Sequence, residues 1–286
     1  MRKKHYLCNM KHIRIISPSG AIESEYILRA QQCLENWGFC VSVGAHAFGQ
    51  NGRFSGTPEE RLVDINQAFA DPEIDIILCS RGGYGLQQII DQVQLPARAK
   101  EEWPLLVGFS DITELHALMS LHGCPSLHAS MCKALATLSE DSPAKQAMKA
   151  VLQGQYQPAI PEFQGKEIIG GNLSVLYGLQ GTPYSLNAIV DRCEEAPVLL
   201  IEDICERHYH IDRMLNNLRM SGVLDRLSGV IVGQFTDCDD DLKMGCTLQE
   251  TIREIFADYD YPVIFNAPYG HVDNNMPIFL SLSSKL

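Results

Sequence analysis

The stretch Leu105-Leu106-Val107-Gly108-Phe109-Ser110-Asp111 runs from a short apolar strand into a glycine turn, and Asp111 to Leu121 continues as a helix. Toward the N-terminus the same strand–turn–helix unit recurs. Ile13–Ile16 is an apolar strand ending at Ser17-Pro18-Ser19-Gly20, and a helix follows from Ser24 to Trp37, closed by Gly38. Cys40–Val43 reads as the next strand. Thr57-Pro58-Glu59-Glu60 starts a helix that runs to Ala70, with a threonine N-cap, proline in the first turn and acids where the helix dipole is positive. Ile74–Cys79 is a buried strand, Arg81-Gly82-Gly83-Tyr84-Gly85 is the loop after it, and Leu86–Val93 is a further helix. Strands alternating with helices predict an α/β fold built on a mostly parallel sheet covered on both faces.

Toward the C-terminus, residues 140–166 are polar and carry Pro143, Pro158, Pro161, Gly154 and Gly165, which marks a linker. A second α/β set follows. Val198–Ile201 and Gly229–Val232 are strands with a helix from Ile211 to Ser221 between them. Thr247–Ala257 is another helix, and Pro262–Phe265 and Ile278–Leu280 are the last strands. The expected division is an N-terminal domain over 1–139, a linker over 140–166 and a smaller C-terminal domain over 167–286.

The chain of 286 residues is 45% hydrophobic and 20% charged, with a formal net charge of −12. An acidic surface repels phosphate backbones, so nucleic acid is not an expected partner. No apolar run reaches the roughly 18 residues that span a bilayer. The basic start Met1-Arg2-Lys3-Lys4-His5 lacks an apolar segment and a cleavage site, so it is not read as a secretory signal. Residues 1–9 are expected to be a poorly ordered extension, or translation starts at Met10. Ten cysteines contain no C-x-x-C pair, which suits a reducing cytoplasm better than a disulfide framework.

In an open parallel sheet, ligands bind beyond the carboxyl ends of the strands, where the loops Ser17–Gly20, Arg81–Gly85 and Gly108–Asp111 are expected. A sharp turn at Gly108–Asp111 would lift Ser110 Oγ toward a substrate, with free N–H groups of the helix start behind it. On local grounds alone the favoured reading is that Ser110 or Asp111 merely caps the helix. The glycines of Arg81–Gly85 let backbone N–H groups approach a ligand, or simply form a tight turn. Glu202 and Asp203 end a buried strand, where one could orient a histidine or both could be a solvated strand end.

Of nine histidines, His116, His122 and His128 fit either core or surface. His208 and His210 have H-x-H spacing without a third ligand, so no metal is expected. His271 lies in a loop between the last two strands and is a candidate base. Serine, acid, histidine is the chain order of α/β-hydrolases. The second glycine of G-x-S-x-G and a His-Gly-Gly-Gly segment are missing.

From Ile13 to Leu282 the chain resembles the LD-carboxypeptidases, the family that includes the microcin C immunity peptidases. The markers are Ile16-Ser17-Pro18-Ser19-Gly20, Arg81-Gly82-Gly83-Tyr84-Gly85, Gly108-Phe109-Ser110-Asp111, Gly170-Gly171-Asn172-Leu173, Leu200-Ile201-Glu202-Asp203, Tyr209-His210-Ile211-Asp212-Arg213-Met214-Leu215 and Gly270-His271, in this order. The resemblance implies a flavodoxin-like N-terminal domain joined to a smaller C-terminal α/β domain, with the site at their interface. It implies Ser110 as nucleophile, Glu202 as acid and His271 as base, and an oxyanion hole from the backbone N–H groups of Gly83 and Asp111. Arg81 and Tyr84 are the expected substrate contacts. It further implies a cytoplasmic homodimer, without metal or cofactor, that releases terminal D-alanine from murein tetrapeptide during peptidoglycan recycling.

Cys205-Glu206-Arg207-His208 departs from the family pattern beside the acid, which bears on substrate preference. Three alternatives stand beside this reading: an immunity-type peptidase acting on aminoacyl-nucleotide analogues, a non-catalytic small-molecule binding protein, and a generic α/β-hydrolase esterase. The compact length speaks against the first, the joint presence of Ser110, Glu202 and His271 against the second, and the missing elbow glycine against the third.

Overall fold

The computed structural model describes residues 10–156, 160–238 and 240–281. The expected N-terminal extension over 1–9 lies outside them, as does Pro158. In chain order the elements are β1 (His12–Ile16), α1 (Ser24–Asn36), β2 (Cys40–Val43), α2 (Pro58–Ala70), β3 (Ile76–Cys79), β4 (Leu105–Gly108), α3 (Thr113–Leu121), β5 (Ser126–His128), α4 (Cys132–Thr137), α5 (Pro143–Leu152), β6 (Ile168–Asn172), α6 (Leu173–Gly178), α7 (Leu186–Arg192), β7 (Val198–Ile204), α8 (His208–Met220), β8 (Gly229–Thr236), α9 (Leu248–Ile255), β9 (Val263–Ile264) and β10 (Ile278–Leu280). Two compact units divide them. One holds the chain up to Val107 with Met131–Thr137; the other holds Gly108–Ser130 with Leu138 onward.

In the first unit the strands run parallel in the order β2-β1-β3-β4. The 2-1-3-4 order is that of flavodoxin-like sheets. Ile13, Ile15 and Ile16 of β1 are fully buried, and Ile27 and Leu34 of α1 and Ile65 and Phe69 of α2 are buried with them. The threonine start of α2 forms a complete capping box: Glu60 N donates to Thr57 Oγ1 at 3.2 Å and Thr57 N donates to Glu60 Oε2 at 2.8 Å. One turn on, the buried Arg61 donates to the carbonyls of Pro18 (3.0 Å) and Gly85 (2.8 Å) and to Gln88 Oε1 (2.7 Å). A single guanidinium thereby ties the loops after β1 and β3. The expected helix over Leu86–Val93 is instead two single 3-10 turns, Leu86–Gln88 and Ile90–Gln92. Ile89, at φ −137°, interrupts them, and the turns still bury Leu86, Ile89 and Ile90.

The second unit contains the parallel sheet β6-β7-β8-β9 and the antiparallel pair β5/β10. Strand β7 separates two apolar clusters. Leu199 and Ile201 join one with Leu176, Ile189, Ile211 and Leu215 of α6, α7 and α8; Val198 and Leu200 join the other with Phe163, Tyr269 and Ile278. Burial on both faces explains why β7 reads as an unbroken apolar run. It continues to Ile204, past the predicted end, because Glu202 and Asp203 are themselves buried. The polar stretch 140–166 is not structureless: it contains α5, capped by Ser142 and opened by Pro143. Proline there is a helix starter, not a breaker.

Candidate active site

The turn Gly108-Phe109-Ser110 leaves β4 and enters a 3-10 turn, Ser110–Ile112, that leads into α3. Ser110 is partly exposed and has φ +67°. For a residue with a Cβ the left-handed region costs on the order of 1–3 kcal/mol and persists only where the surroundings fix it. The N-cap positions fall on Phe109 and Ile112, and neither makes a capping side-chain bond. Neither Ser110 nor Asp111 occupies an assigned N-cap position. Behind the turn, the Gly108 carbonyl accepts from Ala129 N at 3.1 Å and from His116 Nε2 at 2.9 Å. Thr113, at the start of α3, accepts from Asn172 N at 3.0 Å through Oγ1.

Glu202 lies where the register of β7 against β8 slips between Ile201 and Asp203. Such a bulge re-aims a side chain. Glu202 is fully buried, and its Oε2 is 2.8 Å from His271 Nδ1. An ionised carboxylate only accepts, so Nδ1 carries the proton and Nε2 keeps its lone pair. The loop carrying His271 is closely held. Gln234 N of β8 donates to Tyr269 O at 2.8 Å, and Gly270 N donates to Asn275 Oδ1 at 3.0 Å. Gly270 has φ +121°, and a Cβ there would meet Glu202 Oε2 at 2.9 Å, so only glycine brings this backbone against the acid. The Phe109 ring, next to Ser110 in sequence, packs 4.8 Å from the His271 ring.

Asp203 takes a different part and is no solvated strand end. It is buried and accepts from Ser174 N (2.8 Å), Asn172 Nδ2 (3.0 Å) and Ile204 N (2.9 Å), which holds the start of α6 to β7. Burial pushes its carboxyl up to about 6.

His116 and His128, left open by the sequence, are both fully buried core residues. Burial pushes His116 down to about 4. His128 is pushed down to about 3, by burial first and then by the charges of His116 and His271. Its ring lies 5.6 Å from Phe109 and 6.4 Å from His116. No spacing or motif marks these two histidines in the sequence. His208 pairs with Thr251 Oγ1 at 2.7 Å and accepts from Asp241 N, and His210 pairs with Glu206 at 3.0 Å. Among the described residues no three His, Cys, Asp or Glu side chains gather as a metal site, and no helix is long and apolar enough to cross a membrane.

In the first unit, Gly83 is exposed with φ +108°. Its loop is pinned by Gly20 N donating to Gly82 O at 3.0 Å and by Arg81 Nη1 donating to Ala21 O at 2.5 Å. Tyr84 is exposed, with the Arg53 guanidinium 5.8 Å from its ring centre and Phe54 at 6.0 Å. Sequence reasoning did not single out Arg53, which stands in no recognisable motif.

The model of the LD-carboxypeptidase N-terminal domain matches residues 13–129, and that of the LD-carboxypeptidase C-terminal domain matches residues 165–286. A putative carboxypeptidase of Synechocystis is 31% identical over 268 residues, covering 91% of this chain and 85% of its own. The murein tetrapeptide carboxypeptidase of Pseudomonas aeruginosa is 28% identical, covering 92% and 89%. Among solved structures, the muramoyltetrapeptide carboxypeptidase of Oxalobacter formigenes superposes with a TM-score of 0.80 at 24% identity, covering 94% and 92%. MccF in complex with glutamyl sulfamoyl guanosine superposes at 0.78 and 17% identity, covering 96% and 92%. The α/β architecture is thus shared along almost the full chain, and two family models account for most of the sequence: the chain belongs to the LD-carboxypeptidase family of serine-type hydrolases.

Proposed function

We propose that this LD-carboxypeptidase releases terminal D-alanine from murein tetrapeptide, with Ser110 as nucleophile, His271 as general base and Glu202 as the acid that orients it. The observation that carries the proposal is the 2.8 Å bond between the buried Glu202 and His271, in the same compact unit as the left-handed turn at Ser110. His271 Nε2 takes the Ser110 proton as Oγ attacks the carbonyl, and Glu202 stabilises the imidazolium that forms. His271 then protonates the leaving amine, and water releases the acyl group. Backbone N–H groups of Asp111 and Gly83 are the proposed oxyanion donors, and Arg81 and Tyr84 the proposed substrate contacts; for these four the family resemblance is the support.

The murein substrate rests on the relatives named for it. A cytoplasmic homodimer acting in peptidoglycan recycling belongs to the same proposal. So does the division at 139 and 167, which is supported by family models that end at 129 and begin again at 165.

Incubation with murein tetrapeptide, read as free D-alanine, is the test. Release by the native protein and none by Ser110→Ala is expected. No release by the native protein refutes the substrate, and release that survives Ser110→Ala refutes the nucleophile. An aminoacyl-sulfamate arm measures the immunity-type activity alongside, and light scattering measures the dimer.

A further inference from the structure

We infer that His116 is a positioning residue for the nucleophile turn: its Nε2–H holds the Gly108 carbonyl and thereby fixes the backbone that carries Ser110. The inference rests on the reading of Ser110 as nucleophile. His116 is one turn into α3 and fully buried. Its Nε2 is 2.9 Å from Gly108 O, and its Nδ1 is 2.8 Å from Ser126 Oγ on β5. A carbonyl can only accept, so the proton is on Nε2 and Nδ1 accepts from the Ser126 hydroxyl. Ser126 therefore sets the tautomer in which the ring can bind the turn. The low basicity that burial gives His116 keeps it in this neutral form.

The Gly108 carbonyl belongs to the peptide between Gly108 and Phe109, immediately ahead of Ser110. Ala129 N already satisfies that carbonyl at 3.1 Å. The second donor is not needed to avoid an unpaired oxygen; it uses the other lone pair and fixes the plane of the peptide. A leucine would fill this core site without a polar group, since buried polar side chains add packing no better than apolar ones. What histidine adds is a donor aimed at the approach to Ser110, whose φ of +67° needs its neighbours held.

The test compares His116→Gln with His116→Asn. The glutamine amide reaches the position of Nε2 and can still donate to Gly108 O; the asparagine amide reaches only the position of Nδ1. Release of D-alanine gives kcat and KM, and the rate of labelling by a fluorophosphonate, mapped by mass spectrometry, reports the nucleophile directly. His116→Asn is expected to lower kcat and the labelling rate about a hundredfold, the scale of a misplaced reacting group, with KM held within about twofold. His116→Gln is expected within about fivefold of native in both.

Native rates in a folded His116→Asn protein, or equal losses in both variants, would overturn the inference. If His116→Asn does not fold, Ser126→Ala decides: labelling slowed about tenfold supports it, and unchanged labelling refutes it. Label found on a serine other than Ser110 refutes the nucleophile reading, and the inference with it. Label on Ser110 at equal rates in all forms refutes the inference alone.

Discussion

Replacing His128 by leucine should make the protein more resistant to acid. His128 is fully buried, and among the described residues neither ring nitrogen has a hydrogen-bond partner. Its basicity falls from the ordinary value of 6.5 to about 3, because burial and the neighbouring charges of His116 and His271 oppose protonation. The folded value is depressed, so the associated stability is complete above 6.5 and is lost as the pH falls. Between 6.5 and 3 the unfolded chain binds a proton that the folded chain does not, and each pH unit in that window removes about 1.4 kcal/mol. At about pH 5, one and a half units into the window, the loss is about 2 kcal/mol.

His128→Leu removes this titrating group from the core and leaves an apolar side chain in its place. Its stability relative to native should therefore rise by about 2 kcal/mol between about pH 7.5 and about pH 5. Urea unfolding followed by far-ultraviolet circular dichroism at both pH values measures the difference. Groups that titrate alike in both proteins cancel. A relative stability that changes by less than about 0.5 kcal/mol would refute the reasoning, since it would mean that folded His128 takes up a proton as readily as the unfolded chain.

Glu202→Gln keeps the shape of the acid but lets its amide donate to the imidazole, and should lower kcat between about a hundredfold and ten-thousandfold with little change in KM, measured by D-alanine release. Gly270→Ala places a methyl 2.9 Å from Glu202 Oε2 at φ +121°. It should cost about 1–3 kcal/mol in urea unfolding and reduce release about tenfold or more. Ser110→Gly and Ser110→Ala should both be inactive, but the glycine form should unfold about 1 kcal/mol later because it relieves the φ of +67°; equal stability would show that the turn is unstrained.

The elements with local chemistry were legible. Thr57-Pro58-Glu59-Glu60 announces a helix because its cap is built from those residues alone, and the capping box is present. Leu86–Val93 misled because apolar residues three and four apart suit consecutive 3-10 turns as well as a helix. Strand β6 was missed because Gly170 and Gly171 look like a loop. Gly171 is required by packing: a Cβ there would come within 2.6 Å of Thr113 Oγ1, a residue nearly sixty positions away.

In the site, Ser110, Glu202 and His271 stood out as types in an order. The bulge that turns Glu202 toward His271 depends on how β7 meets β8, and no local pattern encodes it. Asp203, one residue on, looked equivalent in sequence and proved to hold α6 instead. His116 and His128 carried no signal because their surroundings come from β5, the Gly108 turn and the His271 loop together.

The second unit is assembled from two separated pieces of chain, Gly108–Ser130 and Leu138 onward. Strand β5, in the first piece, pairs with β10 at the far end of the second. On the ribosome, the roughly 150 residues between them take about 8–30 s to synthesise. Through almost all of that interval the segment bearing Ser110 exists, while the histidine loop and the closing strand have not been made. On the proposed mechanism the nascent chain lacks its base until the histidine loop has been made, whereas α3 waits only for β6, α6 and α7, the elements it packs against. The vulnerable period of this protein is its own translation.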